Sequence, residues 1–166
     1  VTGVQTCALP IFPEDDTAVS NKQSEDNKYK RIFETRSSLI PEFAKIICVS
    51  AGVVDKDGVL RKMTYFNSDE KELLTEVNTL LGRVNGTGFS LCGHNVKNFD
   101  IPMIAKRMLI NGIKPSSILP SYDTKPWEIK AVDTKEVWQF GQFGALSSLE
   151  LMCVSLGVES SKSEEI

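Results

Sequence analysis

The residues best suited to chemistry lie together in Gly93 to Pro102, GHNVKNFDIP. Asp100 stands where a strand and loop give way to a helix, so its carboxylate can be held at the edge of a sheet beside the positive end of the helix dipole. A carboxylate there suits a hard divalent cation. Aspartate is also a good helix N-cap, and from the residue type alone that is the stronger reading. Asn95 carries an amide able to bond loop backbone or a substrate strand, and Phe99 is an apolar anchor for the loop. His94 is the only histidine in the chain. Beside Cys92 it suggests half of a zinc site, but no further ligands cluster nearby, and a hydrogen-bonded loop residue is the better reading. Lys97, Lys106 and Arg107 carry charge suited to phosphate, although exposed basic side chains are usually solvated and nothing more.

The elements that must position this segment can be read from apolar spacing. Lys45 to Val53 is a β-branched apolar run and Val59 to Phe66 alternates, with Asp57-Gly58 between them as a hairpin signal. From Asp69 to Val84, Leu73, Leu74, Val77, Leu80, Leu81 and Val84 recur at helical spacing, with Asn67 as N-cap and Glu70 three residues on. A short strand, Phe89 to Cys92, precedes the GHN segment, and a helix from about Ile101 to Leu109 follows it, ending at Asn111-Gly112. A strand near Ile129 to Val132 leads into Asp133-Thr134, where Asp133 is expected to cap a short helix holding Trp138. Ser147 and Glu150 announce a last helix that Gly157 closes. Hairpin, helix, strand, helix, strand, helix implies a mixed α/β sheet with helices packed on it. No GxGxxG or Walker-type glycine loop supports a doubly wound nucleotide-binding alternative. Trp127, Trp138, Phe140 and Phe143 read as core or loop anchors before they read as base-stacking platforms.

With 166 residues, of which 41% are hydrophobic and 25% charged, the chain fits one domain with a single core. A net charge of -3 argues against a broad basic surface coating duplex nucleic acid, though not against gripping one strand end. Cys7, Cys48, Cys92 and Cys153 are widely separated, which favours free thiols over a disulfide framework or a zinc ribbon. No apolar run of about 18 residues and no signal peptide is present, giving a cytoplasmic expectation without membrane contact.

Residues 1–11, VTGVQTCALPI, resemble the in-frame translation of a sequencing-adapter oligonucleotide and are set aside from the fold as an artefact. Residues 12–40 read as a polar linker or irregular segment, at most a frayed helix, in which Glu14, Asp15 and Asp16 are solvated charges. Residues 41–166 form the expected domain.

GHNxKxFDIP resembles the second exonuclease motif of the DEDD superfamily of 3'-5' exonucleases. The wider chain resembles the bacterial group related to the proofreading exonuclease domain of family B DNA polymerases. The likeness runs from about Ile40 onward through IPEFAKIICVSAG, DEKELL, RMLINGI, KPWE, DTKEVWQFG and SLELMCVSLG. It implies a ribonuclease-H-like mixed sheet with flanking helices, truncated at both ends. It also implies a two-ion Mg2+ or Mn2+ site in the intact parent, with Asp100 as a catalytic metal ligand and His94, Asn95, Lys97 and Phe99 contacting substrate. The implied partner is a single-stranded nucleic-acid 3' end, DNA in preference to RNA. A first motif, Asp-x-Glu, is expected where the adapter-like residues stand, and a third, an aspartate with a tyrosine or histidine base, beyond Ile166. Phe33-Glu34-Thr35 echoes the first motif, but Ile32 stands in the aspartate's place. The fragment itself is therefore expected to be inactive, and the Lys45 strand to have lost its partner. The alternative is a non-catalytic nucleic-acid-binding domain of the same fold.

Overall fold

A computed structural model describes residues 2–10, 23–55, 57–142, 144 and 148–159, with side chains from residue 30 onward. The elements are β1 (Thr2–Pro10), α1 (Gln23–Arg36), a 3-10 turn (Ser37–Leu39), β2 (Ala44–Val54), β3 (Leu60–Phe66), α2 (Glu70–Val84), β4 (Leu91–Gly93), α3 (Asp100–Ile110), a second 3-10 turn (Pro126–Glu128), β5 (Ala131–Asp133), α4 (Thr134–Gln139) and α5 (Leu149–Leu156). They form a mixed α/β structure around one five-stranded sheet of order β3-β2-β1-β4-β5. β2 runs antiparallel to both β1 and β3, whereas β4 is parallel to both β1 and β5.

The hairpin forms where the alternation placed it. Asp55 accepts the amides of Asp57 and Val59 at 3.0 and 2.9 Å, closing the turn that Gly58 completes with a φ of 78°. Two expectations fail at the amino-terminal side. The adapter-like residues occupy the middle of the sheet, and β2 is paired along both edges instead of being left open on one. Strand pairing is made by backbone amides and carbonyls, and a Thr, Val and Leu-rich stretch supplies these whatever its nucleotide origin. Within residues 12–40, expected as a polar linker, irregular segment or frayed helix, α1 is a fourteen-residue helix.

One face of β2 supplies Ala44, Ile46 and Val49 to the core. Against them pack Leu73, Leu74, Val77 and Leu81 of α2 and Ile101, Met103, Ile104 and Met108 of α3. The start of α2 differs in detail from the expected cap. Asp69 caps it, accepting from the amides of Lys71 and Glu72, while Asn67 accepts the Asp69 amide at 2.9 Å. Glu70 is thereby turned inward, where it is buried with Arg107 of α3. Arg107, expected on the surface, is a core residue because this carboxylate awaits it.

Burial alone would raise the Glu70 carboxyl. Hydrogen bonds from Arg107, the Ile46 amide and Asn111 outweigh that and hold it below its ordinary 4.5. A carboxylate whose folded value is depressed contributes stability above its unfolded value and loses it as pH falls through the folded one. The urea midpoint is therefore expected to fall as pH drops below about 4.5. A midpoint flat from pH 6 to 3 would show that the pair adds nothing.

The aromatic expectations also fail in part. Trp127 is 79% and Phe140 91% exposed, so neither packs in a core, while Trp138 is half-buried. Phe143 lies outside the described residues. No helix among the described residues is long and apolar enough to cross a membrane.

Candidate functional site

β4 ends at Gly93, and a Cβ there would lie 2.9 Å from the Cβ of Val96, too close for any side chain to be accepted without moving the loop. Val96 is fully buried and pins the loop into the core. Asn95 takes a φ of 62°, a left-handed conformation that asparagine adopts more readily than most residues. Its carbonyl accepts the amides of Asn98 and Phe99 at 3.2 and 3.0 Å, and the Val96 carbonyl accepts Ile101 at 3.0 Å. The chain is thus wound directly from loop into α3.

The loop is held from outside by Asp133. This carboxylate is 2% exposed at the end of β5, the strand parallel to β4, so both strand ends emerge on the same edge of the sheet. Asp133 Oδ1 accepts the amides of Asn95 at 2.8 Å and Lys135 at 3.0 Å, while Oδ2 accepts Lys97 at 3.1 Å. Capping of α4 was legible in the sequence; the clamp across about 36 residues to the GHN loop was not. Three further contacts complete it. His94 Nδ1 lies 3.1 Å from Thr134 Oγ1, Lys135 Nζ donates to Asn95 Oδ1 at 3.3 Å, and Lys97 Nζ pairs with Glu136 at 2.7 Å. Asp133-Thr134-Lys135-Glu136 and Gly93 to Lys97 therefore interlock residue by residue.

Asp100 is the first residue of α3, and Phe99 occupies the cap position without a side-chain hydrogen bond. Asp100 is therefore not the N-cap that aspartate would most simply be. The residue is 8% exposed, within the first turn, where the helix dipole favours negative charge. Phe99 is partly buried against the core, as its anchoring role requires. The structure thus brings His94, Asn95 and Lys97 onto the β5–α4 segment, with Phe99 and Asp100 leading on into α3. It also ties the side chains of His94, Asn95 and Lys97 to protein partners.

Burial, aided by the neighbouring Asp133 carboxylate, pushes the Cys92 thiol above its ordinary value. Among the described residues no three His, Cys, Asp or Glu side chains converge on a common ion position. Asp100 fits a magnesium or manganese ion by ligand type, as one contributor to a site that needs more oxygen donors.

Removing the clamp should be measurable. Asp133→Ala leaves three amides without their acceptor and is expected to lower unfolding free energy by roughly 2–3 kcal/mol in urea titration. A loss under about 0.5 kcal/mol, the range of ordinary surface changes, would show that solvent replaces those bonds freely.

Fold and site together define a mixed α/β protein with a carboxylate-clamped loop at the carboxyl ends of two parallel strands. No protein-family model, curated protein or solved structure matches the chain.

Proposed function

We propose that this chain is part of a metal-dependent 3'-5' exonuclease of ribonuclease-H-like fold, acting on single-stranded 3' ends, DNA in preference to RNA, in the cytoplasm. The observation that carries the proposal is the setting of Asp100: first in α3, near the sheet edge where β4 and β5 end, and fed by a loop whose path is fixed by Asp133. A mixed sheet with a central strand and with α2 and α3 packed on it supports the fold assignment.

A pair of Mg2+ or Mn2+ ions, when bound, would activate water and stabilise the leaving 3'-oxygen. Asp100 would supply one hard oxygen ligand to that pair. The amides of Asn95 and Lys97 are consumed by Asp133, so the loop's part is to hold Asp100 and Phe99 in place. Lys97, held by Glu136, keeps a partly exposed cation beside the loop, suited to a phosphate. One motif carboxylate cannot hold two dications against water, so the 166-residue chain by itself is expected to be inactive.

The test uses a longer gene product carrying an Asp-x-Glu strand and a further aspartate. A 5'-labelled single strand should be shortened from its 3' end in magnesium or manganese, with release of mononucleotides, and chelation should stop it. Absence of metal-dependent release, with strand binding intact, would favour the non-catalytic binding domain instead.

A further inference from the structure

Asp133 sits where a second metal ligand could stand, because β5 ends on the same edge of the sheet from which the GHN loop leaves β4. Its bonding points to another role. The residue is 2% exposed, and the amides of Asn95, Lys97 and Lys135 take three of the roughly four acceptor positions that a carboxylate offers. A carboxylate occupied in this way fixes chain and leaves little for an ion.

The hold on the loop reaches Asp100 through a short series of bonds. Asn95, whose amide Asp133 accepts, uses its own carbonyl to accept the Phe99 amide at 3.0 Å. Val96 lies between the two held amides, and its carbonyl accepts the Ile101 amide at 3.0 Å. Asp100 therefore stands between two residues whose amides are both tied to the clamped stretch. The stretch has no room to slide inward, since Val96 is fully buried and a Cβ on Gly93 would lie 2.9 Å from the Cβ of Val96. Toward α4, Lys97 Nζ pairs with Glu136 at 2.7 Å and Lys135 Nζ donates to Asn95 Oδ1 at 3.3 Å.

We infer that Asp133 is a positioning residue of the candidate site, setting where the Asp100 carboxylate stands by acting through Asn95, Val96 and Lys97. The role rests on the exonuclease reading for the reaction it serves. Displacing a reacting group by about 1 Å can cost about a hundredfold in rate, so an anchor acts strongly without touching ion or strand. An anchor and a ligand respond differently to substitution. A ligand fails once its charge is gone, whereas an anchor tolerates a replacement that keeps its acceptor oxygens. Asparagine can still accept the Asn95 and Lys135 amides through one oxygen and gives up the acceptor for Lys97; alanine gives up all three.

Asp133→Asn and Asp133→Ala are compared with the parent in the longer gene product, at a temperature where circular dichroism shows each protein folded. Release of nucleotides is expected to fall in kcat by about tenfold for asparagine and about a hundredfold for alanine, with KM for the strand changed by less than about twofold. Arg107→Met, about two turns along α3 from Asp100, is the destabilised control and should keep the parent's kcat. In the 166-residue chain, Asp133→Asn should shift the amide NMR signals of Phe99, Asp100 and Ile101 and leave those of Leu73 and Leu74 in place. Equal losses for asparagine and alanine would make Asp133 a ligand, and an alanine variant with the parent's kcat would make it a helix cap alone; either result overturns the inference, as do unmoved Asp100 and Ile101 signals. A parent without metal-dependent release would remove the exonuclease reading, while the amide signals would still decide whether Asp133 holds Asp100.

Discussion

Replacing Asp100 by asparagine in the longer gene product is expected to lower magnesium-dependent nucleotide release by about a thousandfold or more. Asparagine keeps the shape and one acceptor oxygen but removes the charge that, on the proposed reading, would hold a dication. Loss of a metal's contribution to the transition state is worth several kcal/mol, and about 4 kcal/mol corresponds to three powers of ten. The fold should survive. Asp100 is the first residue of α3 with Phe99 in the cap position, and losing its charge at the helix N-terminus costs about 0.3–1 kcal/mol. Steady-state kinetics and a melt on the same preparation separate the two effects. Near-normal turnover by a folded Asp100→Asn protein would take the carboxylate out of the reaction, whereas a large drop in melting temperature would assign it to the fold.

The second large effect is on stability. Arg107→Met should destabilise the chain by about 3–5 kcal/mol, because it leaves Glu70 charged and without its main partner. The Glu70 carboxylate accepts the Ile46 amide at 2.7 Å, Arg107 Nε at 2.9 Å, Arg107 Nη2, and Asn111 Nδ2 at 3.0 Å, so β2, α2 and α3 meet on one group. Methionine fills the space of the arginine stem and isolates the electrostatic contribution. The paired variant Glu70→Met with Arg107→Met should recover most of the loss, since an apolar pair of similar volume often does as well as a buried ion pair. Urea unfolding of the three proteins checks this. A single variant costing less than 1 kcal/mol would mean that water or Asn111 already satisfies the carboxylate.

What could be read from the chain follows the range of the forces involved. The hairpin, α2 and α3 are set by local periodicity and turn chemistry, and they fall within a residue or two of their expected limits. Asp133 was legible as a helix cap because its partner, Lys135, is two residues away. Its hold on Asn95 and Lys97 was not, because nothing in either segment announces that β4 and β5 lie side by side. From sequence Glu70 is a capping-box member and Arg107 a surface cation for the same reason: only the meeting of α2 and α3 makes them a pair. Pattern also misplaced Trp127 and Phe140, whose size argues for burial but whose loops carry them away from the core. α5 likewise has its cap and its closing glycine, with Ser148 in the cap position in place of Ser147, which lies outside the described residues. Yet none of its side chains is buried.

β1 joins two halves that share no other ladder among the described residues. On one side lies the β2–β3 ribbon; on the other, two parallel strands of three residues each. Isolated two-stranded pieces are marginal in water. The sheet's cooperativity therefore runs through a single seam, and any event that frees those nine residues would divide it into a hairpin and a remnant.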